Sequence, residues 1–287
     1  TADGATGAIL RARWGSGVRS LGRERPQEGN PEGPMSFALA GDDLFVLDQV
    51  NGRLARYDRS GRLERHMDVP GTVQDLAVAK DGSLALIDRL AGKAVTLLDA
   101  NGRKIGELPL ASSKVGETGL VTGVFVDGKD VYAEKEHGAL VHVGTIDGGP
   151  AEDKQLTGRP SKDGTLLLTA GLASAREGKV FLNALDRRTG TLRFSRAIAF
   201  PRPARTIALL DTDARGGIYL GVIGGPDGLA HIVCADPGDG HVTGRLALPT
   251  SDTPEESFRD YVVGDDGTIV YAVRDESGVE YRTARCP

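Results

Sequence analysis

Short apolar runs alternate with polar turns along this chain, and the alternation repeats. Residues 35–69, MSFALAGDDLFVLDQVNGRLARYDRSGRLERHMDV, and residues 73–109, VQDLAVAKDGSLALIDRLAGKAVTLLDANGRKIGELP, follow one plan. A short apolar strand meets a D-D or D-G turn, and a second strand ends in Asp. A third strand, a D-x-x-G turn and a fourth strand follow. Asp42, Asp48, Gly52, Asp58 and Gly61 correspond to Asp81, Asp88, Gly92, Asp99 and Gly102. Turns every 8–12 residues or so, between runs rich in Val, Leu, Ile and Phe, mark antiparallel β-structure rather than helix. A period of about 40 residues is that of propeller blades. One such unit cannot bury both faces of its sheet, so the units must stack or close into a ring.

The pattern continues less regularly. A looser third unit starts at Leu120, a clear fifth at Thr206, and a sixth at Asp260 that holds only three strands before the chain ends. The missing strand has a donor at the other end, GAILRARWGSG at 7–17, so residues 7–13 are expected to complete the last blade and remove two open edges. In the fourth unit, residues 165–200 supply three strands, TLLLTAGLAS, KVFLNAL and TLRFSRAIAF. A fourth must come from the polar stretch DKQLTGRPS at 153–161, or a blade is one strand short. The expected fold is all-β: one six-bladed propeller domain of four-stranded antiparallel blades over 1–287. Residues 1–6 would be a flexible lead, 7–13 the closing strand and 17–34 a long inter-blade loop.

Composition sharpens this picture. The 40 glycines and 14 prolines are spread along the chain, as many short strands joined by tight turns require. A net charge of −5 disfavours a general nucleic-acid partner. The 26 Arg against 9 Lys fit coding in GC-rich bacterial DNA. No stretch approaches the roughly 20 apolar residues of a membrane helix. The chain opens TADGATGAIL, without initiator Met or signal peptide, which fits a removed targeting segment or a trimmed chain. An extracytoplasmic location is the expectation. Cys234 and Cys286 match no CxxC spacing; they would pair in an oxidising compartment and stay as thiols in a reducing one.

The stretch RWGSGVRSLGRERPQEGNPEGPMSFALAGDDLFVLDQVNGRLARYDRSGRL resembles an NHL repeat with its glycine-rich lead-in. The W-G-S-G start, the Pro before the first strand, the DDLFVLD strand and the NGRL turn carry the resemblance, which is best over residues 7–110. It implies a propeller used as a binding surface. Related six-bladed folds include lactonases and lyases, and a fold alone does not transfer function. Some NHL-type domains bind RNA, which the acidic balance disfavours here.

In a propeller, loops joining second to third strands and those joining blades share one face around the central channel. The longest such connection, 17–34, makes Arg19, Arg23 and Arg25 candidate partner contacts beside Trp14; alternatively, Trp14 packs on the first blade and the arginines are solvated. Asp48, Arg89, Glu134, Lys135 and His137 complete the expected channel-face set for a protein or glycan partner. Ends of second strands fall at Asp48, at Asp88, at Glu134 or Lys135, and at Asn183 or Ala184. From these, Glu134, Asn183 and Asp48 form the candidate Ca²⁺ ligands of an alternative, metal-dependent hydrolase or lyase acting on a lactone or small ester. The recurring Asp also reads as a turn cap. His137 reads either as an acid–base residue or as an exposed turn histidine. No HExxH, GxSxG or phosphate-binding loop occurs, so the expectation is a non-enzymatic binding scaffold with no cofactor.

Overall fold

The computed structural model describes residues 7–111 and 115–287; the expected flexible lead, 1–6, lies outside the described residues. The chain forms six four-stranded antiparallel sheets. Blade one is β2 (Ser36–Ala40), β3 (Asp43–Asp48), β4 (Arg53–Tyr57) and β5 (Leu63–Asp68). Blade two is β6 (Asp75–Val78), β7 (Leu84–Asp88), β8 (Ala94–Leu98) and β9 (Lys104–Pro109). Blade three is β10 (Val121–Asp127), β11 (Asp130–Lys135), β12 (Leu140–Thr145) and β13 (Gln155–Leu156). Blade four is β14 (Arg159–Pro160), β15 (Leu166–Ser174), β16 (Lys179–Asp186) and β17 (Leu192–Ala199). Blade five is β18 (Thr206–Thr212), β19 (Ile218–Ile223), β20 (Leu229–Ala235) and β21 (Val242–Pro249). Blade six takes β22 (Tyr261–Val263), β23 (Ile269–Asp275) and β24 (Gly278–Ala284), then β1 (Ala8–Arg13) as its outermost strand. The closing strand thus lies where the sequence placed it: Arg11 pairs with Glu280 and Arg13 with Gly278.

The polar stretch 153–161 turns out to serve two blades. Gln155 and Leu156 form the outermost strand of blade three, and Arg159 and Pro160 the innermost strand of blade four. The chain passes so close to β15 here that a Cβ on Gly158 would stand 2.5 Å from the Leu168 carbonyl oxygen. Pro160 is tolerated because the inner strand is an edge strand that need not donate outward. This shifts the frame of blade four by one strand. KVFLNAL, expected as a second strand, lies within the third strand, β16.

The blades are joined by buried apolar clusters between one and two, two and three, four and five, five and six, and six and one. In the last of these, Leu10 and Ala12 of β1 pack with Phe37, Val46 and Tyr281, so the N-terminal strand is part of the ring's core. Two ion pairs cross the junction of blades three and four, Glu134–Arg159 and Asp127–Arg187.

The 17–34 connection is ordered by its own bonds: Glu24 and Glu32 exchange backbone hydrogen bonds at 2.8 Å. It straps blade one to blade six. Trp14 Nε1 donates to the Asp275 carbonyl at 2.8 Å, and Arg25 bridges Glu255 and Glu276 at 2.7 and 2.9 Å.

Cys234 on β20 and Cys286 after β24 are joined in a disulfide. It ties the C-terminus to blade five. Among the described residues no helix is long and apolar enough to cross a membrane.

Candidate functional site

The innermost strands of the six blades surround a cavity of about 750 Å³. Its wall is largely aliphatic, including Ala38, Ala77, Leu168, Ala170, Leu172 and Ile207. Ala38, Ala77 and Ile207 come from innermost strands, whereas Leu168, Ala170 and Leu172 come from the second strand of blade four, β15, whose inner neighbour is only two residues long. Charge enters where strands begin or end. At the upper mouth, blade-to-blade connections bring in Arg159 at the head of β14, Arg205 before β18 and Arg259 before β22. Lys162, Asp211 and Asp265 stand at the opposite end.

Phe125 of β10 organises the upper mouth. The guanidinium carbons of Arg159 and Arg259 lie 5.0 and 4.8 Å from its ring centroid, within cation–π range. A buried carboxylate orients each arginine: Glu134 on the adjoining blade three for Arg159, and Asp75 on blade two, past blade one, for Arg259. Arg159 Nε and Nη2 donate to Glu134 Oε1 and Oε2 at 2.7 and 3.0 Å, and Nη1 donates to the Leu210 carbonyl at 3.1 Å. Arg259 Nη2 donates to Asp75 Oδ2 at 2.8 Å and to the Val124 carbonyl. Asp75 also accepts from Ser36 Oγ at 2.6 Å and from the Val124 amide at 2.9 Å. The Nε and Nη1 edge of Arg259 carries no bond to any described residue, and the exposed Arg205 side chain has neither ion pair nor hydrogen bond among them.

Burial by itself raises the Glu134 pKa. The Arg159 guanidinium, with further bonds from His137, Arg159 and Thr122, outweighs that and holds Glu134 down at about 2. Glu134 therefore remains a carboxylate at neutral pH, and it raises the pKa of Arg159 against the lowering effect of burial. The two form a fixed pair. At the other end, Lys162 Nζ meets Asp211 at 3.4 Å and the Val263 carbonyl, while the Val263 amide donates to Asp211 at 2.9 Å.

The expected site residues divide into three groups. His137 lines the mouth: it sits at φ 55°, its amide donates to Thr122 Oγ1 at 3.0 Å, and its Nδ1 is 3.6 Å from Glu134. Lys135 ends β11 beside it, and Glu134 stands behind Arg159. A second group serves the strap and the blade junctions. Arg23 lies 5.2 Å from the Trp14 ring centroid and meets Glu276 at 3.0 Å, while Arg25 makes the bridges given above. Arg89 Nη1 donates to the carbonyls of Gly119 and Val121 at 2.7 and 2.8 Å and stacks on Phe258 at 4.9 Å. Asp48 is buried and accepts from the Gly22 amide at 2.7 Å, from Asn51 at 2.9 Å and from Arg53 at 2.7 Å. Arg19 alone stands exposed in the loop without a side-chain partner among the described residues.

The third group is the candidate Ca²⁺ set, and the residues do not fit it. Asn183 belongs to the third strand of blade four, where its Oδ1 accepts from Ser195 at 2.6 Å. Both Asp48 oxygens and both Glu134 oxygens are taken by arginines, amides and hydroxyls. Three carboxylate or imidazole groups do gather at Asp236, Asp239 and His241. They lie on the turn after β20, where both aspartates accept backbone N–H bonds as turn caps.

Arg159, Arg205 and Arg259 went unmarked in the sequence. Their shared signal is position: each stands within a residue or two of an innermost strand, in the connection that reaches the channel.

This architecture defines the class: a six-bladed β-propeller with a basic upper channel mouth. No family model matches the chain, and no curated protein matches it. Solved propellers do. A gluconolactonase of Xanthomonas campestris is 14% identical with a TM-score of 0.54 over 99% of this chain and 90% of that one. Hydrazine synthase of Kuenenia stuttgartiensis is 14% identical with a TM-score of 0.54 over 86% and 76%. Hsv2 of Kluyveromyces lactis is 10% identical with a TM-score of 0.50 over 90% and 99%. At these identities the likeness is one of fold.

Proposed function

We propose that this protein is a non-enzymatic binding scaffold that engages a protein or glycan partner through the upper mouth of its channel. One observation carries the reading: the buried carboxylates next to the mouth, Glu134 and Asp75, are committed to arginines, amides and hydroxyls. At the upper mouth, what reaches the cavity is therefore guanidinium and apolar wall, with His137 and an Asp260 already paired to Arg274, a surface suited to recognition. A catalytic metal would need uncommitted oxygen ligands converging there. The repeat pattern supports reading the chain as one domain and a divergent relative of the NHL propellers. The Cys234–Cys286 bond supports an extracytoplasmic setting.

The test is binding to peptide and glycan arrays by the wild type and by Thr206→Trp. Thr206 is an exposed residue on the channel wall whose replacement fills the mouth without touching the ion pairs. The reading expects array ligands that Thr206→Trp loses. Ca²⁺-dependent hydrolysis of lactones by the wild type, abolished in Thr206→Trp, would replace this reading with the enzymatic one.

A further inference from the structure

The scaffold reading leaves the ligand's chemistry open, and the charge and shape of the mouth narrow it. Three guanidiniums reach the cavity at its upper end, Arg159, Arg205 and Arg259. Two buried carboxylates, Glu134 and Asp75, stand against them. Asp260, also on the wall, is balanced by the buried Arg274 at 2.6 Å. Among the groups that line the cavity, the upper mouth therefore carries a surplus of one positive charge, located on groups with open donors: Nε and Nη1 of Arg259 and the whole of Arg205. The Nε/Nη fork of an arginine matches the two oxygens of a carboxylate. Arg259 spends Nη2 on Asp75 and the Val124 carbonyl, so it is held in place and offers Nε and Nη1 as separate single donors, while Arg205 offers a whole fork.

A single surplus charge suits a monoanion better than a phosphate dianion. Around these donors the wall is aliphatic, with Ala38, Ala77, Ala170 and Leu172, and Phe125 stacks against Arg159 and Arg259. A sugar would need several hydroxyl partners, but Thr122 and Ser257 are already bonded to Glu134 and Asp260, which leaves the single hydroxyl of Thr206 at the mouth. Resting on the scaffold reading, we propose that the mouth binds a monocarboxylate carried on an apolar group. The carboxylate would sit on Arg259 and Arg205, with the apolar part down the channel; the C-terminus of a peptide ending in aliphatic residues and a free aliphatic acid share this chemistry.

The experiment is calorimetric titration of the full chain with N-acetyl-leucyl-leucine, the same dipeptide as its C-terminal amide, hexanoate, digalacturonate and inorganic phosphate. The free-acid dipeptide binds and its amide binds at least tenfold more weakly. Raised NaCl weakens the acid, and Arg205→Gln weakens it by about tenfold or more, the scale of one lost charge-assisted bond. Arg205 is exposed and unpaired, so this variant keeps the fold; Arg259→Lys, which keeps the charge opposite Asp75 but loses the open Nε and Nη1 donors, gives a second loss of the same kind. Hexanoate matching the dipeptide assigns the site to small organic acids, and a dipeptide preference assigns it to peptide ends. Equal binding of acid and amide, preference for phosphate or digalacturonate, indifference to Arg205→Gln, or no carboxylate binding at millimolar concentration overturns the proposal. If array ligands lost in Thr206→Trp persist in Arg205→Gln and need no carboxylate, the scaffold reading stands and this inference alone fails. Metal-dependent lactone turnover would remove the scaffold reading and leave carboxylate binding to be judged on its own.

Discussion

Arg274 of blade six donates from Nη2 to the carbonyl of Pro34 at 2.9 Å, linking residues 240 positions apart in sequence at the seam of the ring. The arginine is almost wholly buried and its Nη1 meets Asp260 at 2.6 Å. It thus fixes both the entry to blade one and the connection that carries Arg259. Removing one partner of a buried ion pair costs several kcal/mol, because the other is left unpaired. Arg274→Ala should destabilise the protein by about 3 kcal/mol in urea unfolding, with faster amide exchange in β2 and β22. An unchanged midpoint would mean the seam is held by the strap and β1 alone.

Gly61 and Gly128 offer a matched comparison, since both have positive φ, at 74° and 63°. A Cβ at Gly61 would stand 2.0 Å from the carbonyl oxygen of Ile9 on the closing strand, whereas one at Gly128 meets nothing within 4 Å. Gly128→Ala should cost about 1–2 kcal/mol, the left-handed penalty alone. Gly61→Ala should cost clearly more, because β1 must also move. Equal losses in thermal or urea unfolding would show that β1 does not lie against this turn.

Acid should unlock the junction of blades three and four. Glu134 is held at about 2, below its ordinary 4.5. A depressed carboxylate stabilises the folded state fully above its unfolded pKa, and that contribution drains away as pH falls from 4.5 toward 2. The shift corresponds to roughly 3 kcal/mol. Urea unfolding at pH 6, 4 and 3 should show Glu134→Gln weaker than wild type at pH 6, with the gap closing as pH falls. A gap that stays constant with pH would deny the Glu134–Arg159 pair this role.

The disulfide closes a loop between positions 52 apart. Cys286→Ser should lower stability by about 4 kcal/mol on the loop-entropy scale, or less if the free end of the chain stays docked. Reducing agent should lower the wild-type melting temperature and leave that of the variant unchanged. A wild type indifferent to reductant would mean the thiols are not paired in solution.

Most of the ring was legible in the sequence, because its blades announce themselves through paired signals: an apolar run ending in Asp, then a D-x-x-G turn. The closing role of residues 7–13 followed from the one strand blade six lacked. Blade four was misframed because its inner strand is only Arg159–Pro160. Two polar residues carry no hydrophobic signal, and their place is set by close passage of Gly158 over Leu168. That misframing moved Asn183 to the wrong strand. The mouth arginines were hidden for another reason. A cation in a polar connection looks like solvated surface until the ring closes and turns six connections toward one axis. The long 17–34 loop drew attention by its length, but its partners, Glu255 in the connection entering blade six and Glu276 in that blade, are more than 200 residues away, and only the closed fold brings them together.

Ligand engaged at the upper channel mouth should leave its mark in amide hydrogen exchange on the protein saturated with an array-selected peptide or glycan. Protection should concentrate at 121–124, 205–207 and 257–260, where Thr122, Arg205 and Arg259 meet the cavity. Protection confined to the opposite loops at 162–165, 213–217 and 264–268, or to the outer strands, would contradict it.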